Sequence, residues 1–172
     1  MNLLHRIVRK IRKSEYHDIQ ELRQRGIHIG EECEIYSSVG FGSEPYLIEI
    51  GNHVRITHGC RFITHDGGVW VLHAIKNMPS LDLFGPIKIG NNVHIGVNTV
   101  IMPGVTIGDN CIIGCGAVVT KDIPSGEIWG GVPARFLKTV EEYYQQHEED
   151  FDFTKGYSSE EKKKFLKQKY RK

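Results

Sequence analysis

Apolar residues recur along this chain at a fixed interval of six. Ile89, Ile95, Ile101, Ile107, Ile113 and Val119 are all aliphatic and β-branched. Two places before each stand Ile87, Val93, Thr99, Val105, Cys111 and Ala117, every one apolar or small. The register reappears upstream at Ile50, Ile56 and Phe62, preceded by Ile48, Val54 and Cys60. It returns at Ile29 and Ile35, preceded by Ile27 and Cys33. An amphipathic helix would repeat every 3.6 residues, and a meander of strands would place turn signals further apart. A short strand followed by a turn every six residues does fit. Residues two apart on a strand share a face, so both apolar positions point to one side.

Three such units close a triangular coil, and stacked coils pair their strands in parallel. The pattern therefore predicts an all-β fold, a left-handed parallel β-helix over residues 27–138 with both apolar positions inside the prism. Glycine follows four of the aliphatic positions (Gly90, Gly96, Gly108 and Gly114), where a corner needs positive φ or close approach. Two segments break the period: VGFGSEPYL at 39–47, and DGGVWVLHAIKNMPSLDLFGP at 66–86. The second is too long for a corner and must leave the prism as an excursion loop. Long excursions from rigid scaffolds often carry function.

Outside the repeat the character changes. Residues 1–26, beginning MNLLHRIVRKIRK, read as an amphipathic helical segment that packs on its own domain or a neighbouring subunit; contact with a membrane surface is the alternative. This start lacks the uninterrupted apolar stretch and small-residue cleavage site of a signal peptide. No apolar run reaches the ~20 residues of a membrane span. Residues 139–172 form a C-terminal helical tail. TVEEYYQQHEED is helical in pattern, and Ser158 followed by Glu161 is a capping box that starts a second helix. The last segment is strongly basic, as a solvated face often is.

Charge and cysteines narrow the classes. The 22 basic and 21 acidic residues leave a net charge of +1, which argues against nucleic-acid binding through a general field. The four cysteines make no CxxC pair. Cys33, Cys60 and Cys111 occupy one inward repeat position and read as reduced packing residues of a cytoplasmic protein. His53, His58, Cys60 and His65 make a poor zinc set, because Cys60 points inward while the histidines sit near corners; no metal is expected.

The motifs IGNNVHIG, MPGVTIGDN, IIGCGAVVTKDIP and GGVPAR, with ITHGCRFITHDGG upstream, resemble the hexapeptide-repeat acyltransferases. That family includes galactoside, maltose and xenobiotic acetyltransferases and O-acetyltransferases of surface polysaccharides. The resemblance covers roughly residues 27–138. It implies a homotrimer with acyl-CoA in a groove between prisms, and a catalytic histidine beside a projecting loop. His65 lies where the repeat breaks and the excursion begins, and is the expected general base. Histidine suits that task because its proton affinity lies near neutrality.

The resemblance also assigns the coenzyme side. Thr120 and Lys121 would lie by the pantetheine and phosphates, Arg135 would pair with a phosphate, and Lys138 stands where relatives carry arginine. Gly114 and Cys115 would let backbone approach the pantetheine arm. His94 stands where galactoside acetyltransferases carry a tryptophan near the coenzyme. Toward the acceptor, Asp66 orients His65, contacts acceptor or starts a turn. Trp70, His73 and Phe84 on the excursion are further acceptor contacts, and Trp129 is an aromatic wall or a packing residue. His5, His17, His28 and His147 read as surface residues. The expected activity is acetyl-CoA-dependent O-acetylation of a carbohydrate in surface-polysaccharide biosynthesis. The rivals are an N-acetyltransferase acting on a nucleotide-linked amino sugar, and a non-catalytic or metal-binding β-helix module.

Overall fold

The computed structural model describes residues 15–171. The chain divides into two compact units, Met1–Glu141 and Glu142–Lys172. The first holds short strands arranged in coils. The first coil has β1 (His28–Ile29) and β2 (Glu34–Ile35). The second has β3 (Ile48–Ile50), β4 (Arg55–Ile56) and β5 (Arg61–Phe62). The third has β6 (Ile87–Ile89), β7 (His94–Ile95) and β8 (Val100–Ile101), and the fourth β9 (Thr106–Ile107), β10 (Ile112–Ile113) and β11 (Val118–Val119). β12 (Glu127–Gly130) opens a fifth turn, and β13 (Arg135–Thr139) folds back on it antiparallel.

Stacking the coils produces three faces. Face one is β1-β3-β6-β9, face two is β2-β4-β7-β10-β12 with β13 on its edge, and face three is β5-β8-β11. Gly40 bridges Arg61 in parallel and carries face three down to the first coil. Between the third and fourth coils, paired residues stand 18 positions apart, as in Val100 with Val118, which is three sixes. Between the first and second the interval is 21, Glu34 to Arg55. Between the second and third it is 39, Arg55 to His94. The three extra residues fall between Gly40 and Ile48, and the 21 extra between Phe62 and Ile87. Both insertions therefore leave the prism at the corner joining face three to face one, on consecutive coils.

The interior follows the repeat. Both predicted inward positions are buried from Ile27 to Val119, with only Cys33 half-buried. Each inward thiol donates to a carbonyl oxygen of the coil above: Cys33 to Gly51 at 3.2 Å, Cys60 to Gly96 at 3.1 Å and Cys111 to Pro124 at 3.2 Å. Burial pushes all three thiols up, so they stay protonated donors. α1 (Ile19–Gln24), capped by Asp18, sets Leu22 against the first coil. At the other end Trp129 pairs in register with Ile113, packs on the core and donates to Glu127 at 2.6 Å.

The corners show why glycine and asparagine alternate there. Most corners place one residue at positive φ, among them Asn92, Asn98, Asn110, Gly104 and Gly116; asparagine tolerates this region better than most side chains. The glycines of the repeat mostly serve the other need. Gly96 has ordinary φ, but a Cβ there would lie 2.6 Å from the Cys115 nitrogen of the next coil. At the corner between faces one and two, Asn52, Asn91, Asp109 and Ser125 each accept the backbone N–H of a residue one coil below. These side chains satisfy amides that the sharp turn would otherwise strand.

The described part of segment 1–26 begins with an antiparallel bridge from Tyr16 to Tyr36 and continues into α1; residues 1–14 lie outside the described residues. "All-β" thus describes the prism alone, since strands of two or three residues leave helices comparable weight along the chain. α2 (Val69–Ile75) lies within the excursion, and α3 (Val140–His147) spans the boundary between the units. In the second unit a 3-10 turn, Glu148–Asp150, leads to α4 (Ser159–Lys169). The predicted capping box is present: the Ser158 N–H donates to Glu161 at 2.8 Å and the Glu161 N–H to Ser158 Oγ at 3.3 Å. Lys169 pairs with Asp152 at 2.7 Å, and the rings of Tyr157 and Phe165 meet edge to face.

Candidate active site

His65 sits three residues beyond β5, at the point where the excursion departs. Its backbone bridges Phe84 antiparallel, the Gly85 N–H donates to the Thr64 carbonyl at 2.9 Å, and the Asp66 N–H donates to the Leu83 carbonyl at 2.8 Å. The neck of the excursion is therefore a small ladder with the histidine on it. The Phe84 ring lies edge-on to the imidazole, 6.3 Å between centres.

The shorter insertion reaches the same place. Its Glu44 precedes a 3-10 turn, Pro45–Leu47, and lies one coil below His65 on the shared corner. Glu44 Oε2 accepts from His65 Nδ1 at 3.0 Å and from Thr64 Oγ1 at 2.8 Å. The Glu44 side chain is 16% exposed and that of His65 46%, so the carboxylate is the more sheltered partner. Hydrogen bonds from Ser43, Thr64 and His65 hold the Glu44 carboxyl below the ordinary carboxylate range. Among the described residues no hydrogen bond engages His65 Nε2.

Neither Glu44 nor Thr64 was singled out from the sequence. Thr64 lies two residues past Phe62, outside both inward positions of the repeat, so the period did not mark it. Glu44 falls within the 39–47 break, but only the stacking of the coils shows that this break shares its corner with the excursion.

The residues expected on the acceptor side are dispersed. Asp66 is exposed, and its Oδ1 accepts the Gly68 N–H at 2.8 Å, which is the turn-starting arrangement; Glu44, not Asp66, engages the imidazole. His73 Nε2 bonds the Leu81 carbonyl at 2.7 Å and ties α2 to the returning segment of the excursion. Trp70, 77% exposed, packs its ring near His73, and Phe84 is half exposed beside His65. His17 departs from the surface reading: its Nε2 meets the Val39 carbonyl at 3.1 Å and its ring packs near Phe41. His28, His53 and His58 are exposed, and His94 is half-buried on face two. His5 lies outside the described residues. Among the described residues no three His, Cys, Asp or Glu side chains come together as a metal site.

The residues expected on the coenzyme side divide between edges. Thr120 and Lys121 follow β11 at the same corner as His65, two coils on, or ~10 Å along the axis at the usual strand spacing. Gly114 and Cys115 stand on the opposite edge of face three. Arg135 and Lys138 lie on β13, paired with Gly130 and Ile128, and the Arg135 guanidinium donates to the Ala134 carbonyl.

Residues 86–121 match the bacterial transferase hexapeptide family of six repeats. The chain belongs to the hexapeptide-repeat acyltransferases. It is 49% identical over 153 residues to Protein CapG of Staphylococcus aureus, covering 88% of each chain. It is 40% identical over 115 residues to the galactoside O-acetyltransferase of Escherichia coli, covering 66% of this chain and 54% of that one, so it spans about half that relative's length. A hexapeptide-repeat acetyltransferase of Vibrio cholerae, solved with acetyl coenzyme A, superposes with a TM-score of 0.55 at 27% identity, covering 76% of this chain and 82% of that one.

Proposed function

We propose that this acyltransferase is an acetyl-CoA-dependent O-acetyltransferase that acetylates a hydroxyl of a carbohydrate, with His65 as general base in a ternary complex. The observation that carries the reading is the imidazole at the excursion neck, with Nδ1 engaged and Nε2 left to accept a proton. Kinship with a galactoside O-acetyltransferase supports the acceptor class, and likeness to an acetyl-CoA complex supports the donor.

In this mechanism His65 Nε2 takes the proton of the acceptor hydroxyl as its oxygen attacks the thioester carbonyl. The new C–O bond forms, the tetrahedral intermediate collapses, and the C–S bond breaks. The imidazolium returns its proton to the departing sulfur, so the base is regenerated and no covalent enzyme intermediate forms. Lys121, Arg135 and Lys138 meet coenzyme phosphates, and the Gly114–Cys115 turn passes close to the pantetheine arm. Thr120 lies along the same arm. Holding two substrates in line supplies much of the remaining acceleration.

The coil is left-handed in this reading and the protein a homotrimer. Coenzyme residues on both edges of face three support that assembly, because a groove between prisms joins one edge of each neighbour. Apolar Val97 and Val132, 38% and 72% exposed on the Cys115 edge, and exposed Trp70 and Ile75 on the excursion suit contact with a second copy. The reading puts the reaction in the cytoplasm, in surface-polysaccharide biosynthesis. Inward thiols kept as hydrogen-bond donors fit a reducing compartment, and no helix of the described residues is long and apolar enough to cross a membrane.

The test is thiol release from acetyl-CoA against a panel of galactosides, other glycosides and amino-sugar nucleotides, with products characterised by mass and ester lability. An alkali-labile acetyl ester on a sugar is expected. An alkali-stable amide on an amino-sugar nucleotide would overturn the acceptor class.

A further inference from the structure

We infer that Glu44 is the positioning residue of this site, delivered to His65 by the three-residue insertion in the first coil. The inference rests on the reading of His65 as the base, and deepens it. The repeat alone cannot bring a carboxylate to His65. Where the period is intact, as between Met102 and Val105 in the third coil, the same corner is turned in a few residues and goes straight on to β9. Only in the first coil does the corner lengthen, by three residues, and only in the second does it open into the excursion. The two irregularities sit one above the other. One supplies the imidazole and the other the carboxylate.

The contacts have the form of a relay. Buried Thr64, 0% exposed, donates its hydroxyl to Glu44 Oε2 at 2.8 Å. Its neighbour His65 bonds the same oxygen through Nδ1 at 3.0 Å. An ionised carboxylate can only accept, so the hydrogen lies on Nδ1 and the lone pair of the neutral ring on Nε2. That is the tautomer a base at Nε2 needs. The same negative charge then faces the imidazolium that forms during transfer. Thr64 fixes the direction of Glu44, because its own backbone is locked in the excursion neck through Gly85. Glu44 touches no reacting atom; it acts through His65.

The expected signatures separate this role from a merely structural one. Glu44→Gln and Glu44→Ala should fold with unchanged far-ultraviolet circular dichroism. Each should lower kcat on the order of 10²-fold with KM for acetyl-CoA little changed. Glu44→Asp should recover part of the loss, and Thr64→Val should lose less than Glu44→Ala. Independently of any acceptor, histidine-selective nitrogen NMR of the wild-type protein above neutral pH should show His65 with its hydrogen on Nδ1. Glu44→Ala should move it towards the Nε2–H form that an unpartnered imidazole favours. Wild-type tautomer and wild-type kcat in Glu44→Ala would overturn the inference while leaving His65 as base. Loss of the Nδ1–H form in Glu44→Ala, in a protein whose rate does not depend on His65, would confirm the pairing and overturn its catalytic use.

Discussion

Replacing Gly96 by alanine tests why the corners are built as they are. A Cβ at Gly96 would stand 2.6 Å from the Cys115 nitrogen, 2.7 Å from the Ile113 oxygen and 2.9 Å from the Gly114 carbonyl carbon. All three atoms are backbone of the coil above, so no side chain can swing aside. Ordinary contact needs ~0.7 Å more, and the coils must part by about that much locally. Two ladder bonds span the gap, Gly96 N–H to the Ile113 carbonyl at 2.8 Å and Gly116 N–H to the Val97 carbonyl at 2.7 Å. Overpacking costs ~1–3 kcal/mol and each weakened bond ~1 kcal/mol, for a loss of roughly 3–5 kcal/mol. Two other glycines serve as controls. At Gly104 nothing lies within 4 Å, but φ is 81°, so alanine there costs only the left-handed strain of ~1–2 kcal/mol. At Gly114 the nearest atoms are at 3.5 Å and φ is ordinary, so alanine should be neutral or stabilise by up to ~1 kcal/mol through the unfolded chain. Urea unfolding followed by circular dichroism should therefore rank the variants Gly114→Ala, then Gly104→Ala, then Gly96→Ala. A Gly96→Ala protein within ~1 kcal/mol of wild type would refute the close-approach account.

Two other predictions reach separate parts of the molecule. His94 is half-buried, and burial followed by the charge of Arg55 holds its imidazole below the ordinary 6.5. The unfolded chain then takes up its proton first, so His94 contributes nothing above pH ~6.5 and costs stability progressively as pH falls below it. His94→Phe should flatten the loss of urea midpoint between pH 7.5 and 5.5, and an unchanged slope would contradict the assignment. Ser158→Ala removes one half of the capping box and should cost ~1 kcal/mol in α4 alone. Hydrogen exchange should show faster exchange in α4 with the prism amides unaffected, and a global change would speak against a separate unit.

The prism was legible because burial there is periodic. Every six residues the chain meets the same environment, and Ile95, Ile101 and Ile107 record it directly. His65 was legible because it marks the place where the period fails and because the motif around it resembles a family. Glu44 was not, since its partner is 21 positions away and only the stacking of coils brings the two insertions together. Asp66 attracted attention through adjacency in sequence, yet its side chain turns to Gly68 and closes a local turn. α2 was hidden within VWVLHAI, where β-branched and aromatic residues obscure helical periodicity. The residues expected on the coenzyme side read from the sequence as one group, whereas the fold distributes them between two edges of face three and β13.

The most direct test of the account is the rate of acetyl transfer from acetyl-CoA to a responsive glycoside, compared between wild type and His65→Ala at saturating donor. The account predicts that the variant folds, keeps its affinity for CoA by calorimetry, and loses ~10²–10⁴-fold in rate. A His65→Ala protein as fast as wild type would contradict it, and would move the proton transfer away from the excursion neck altogether.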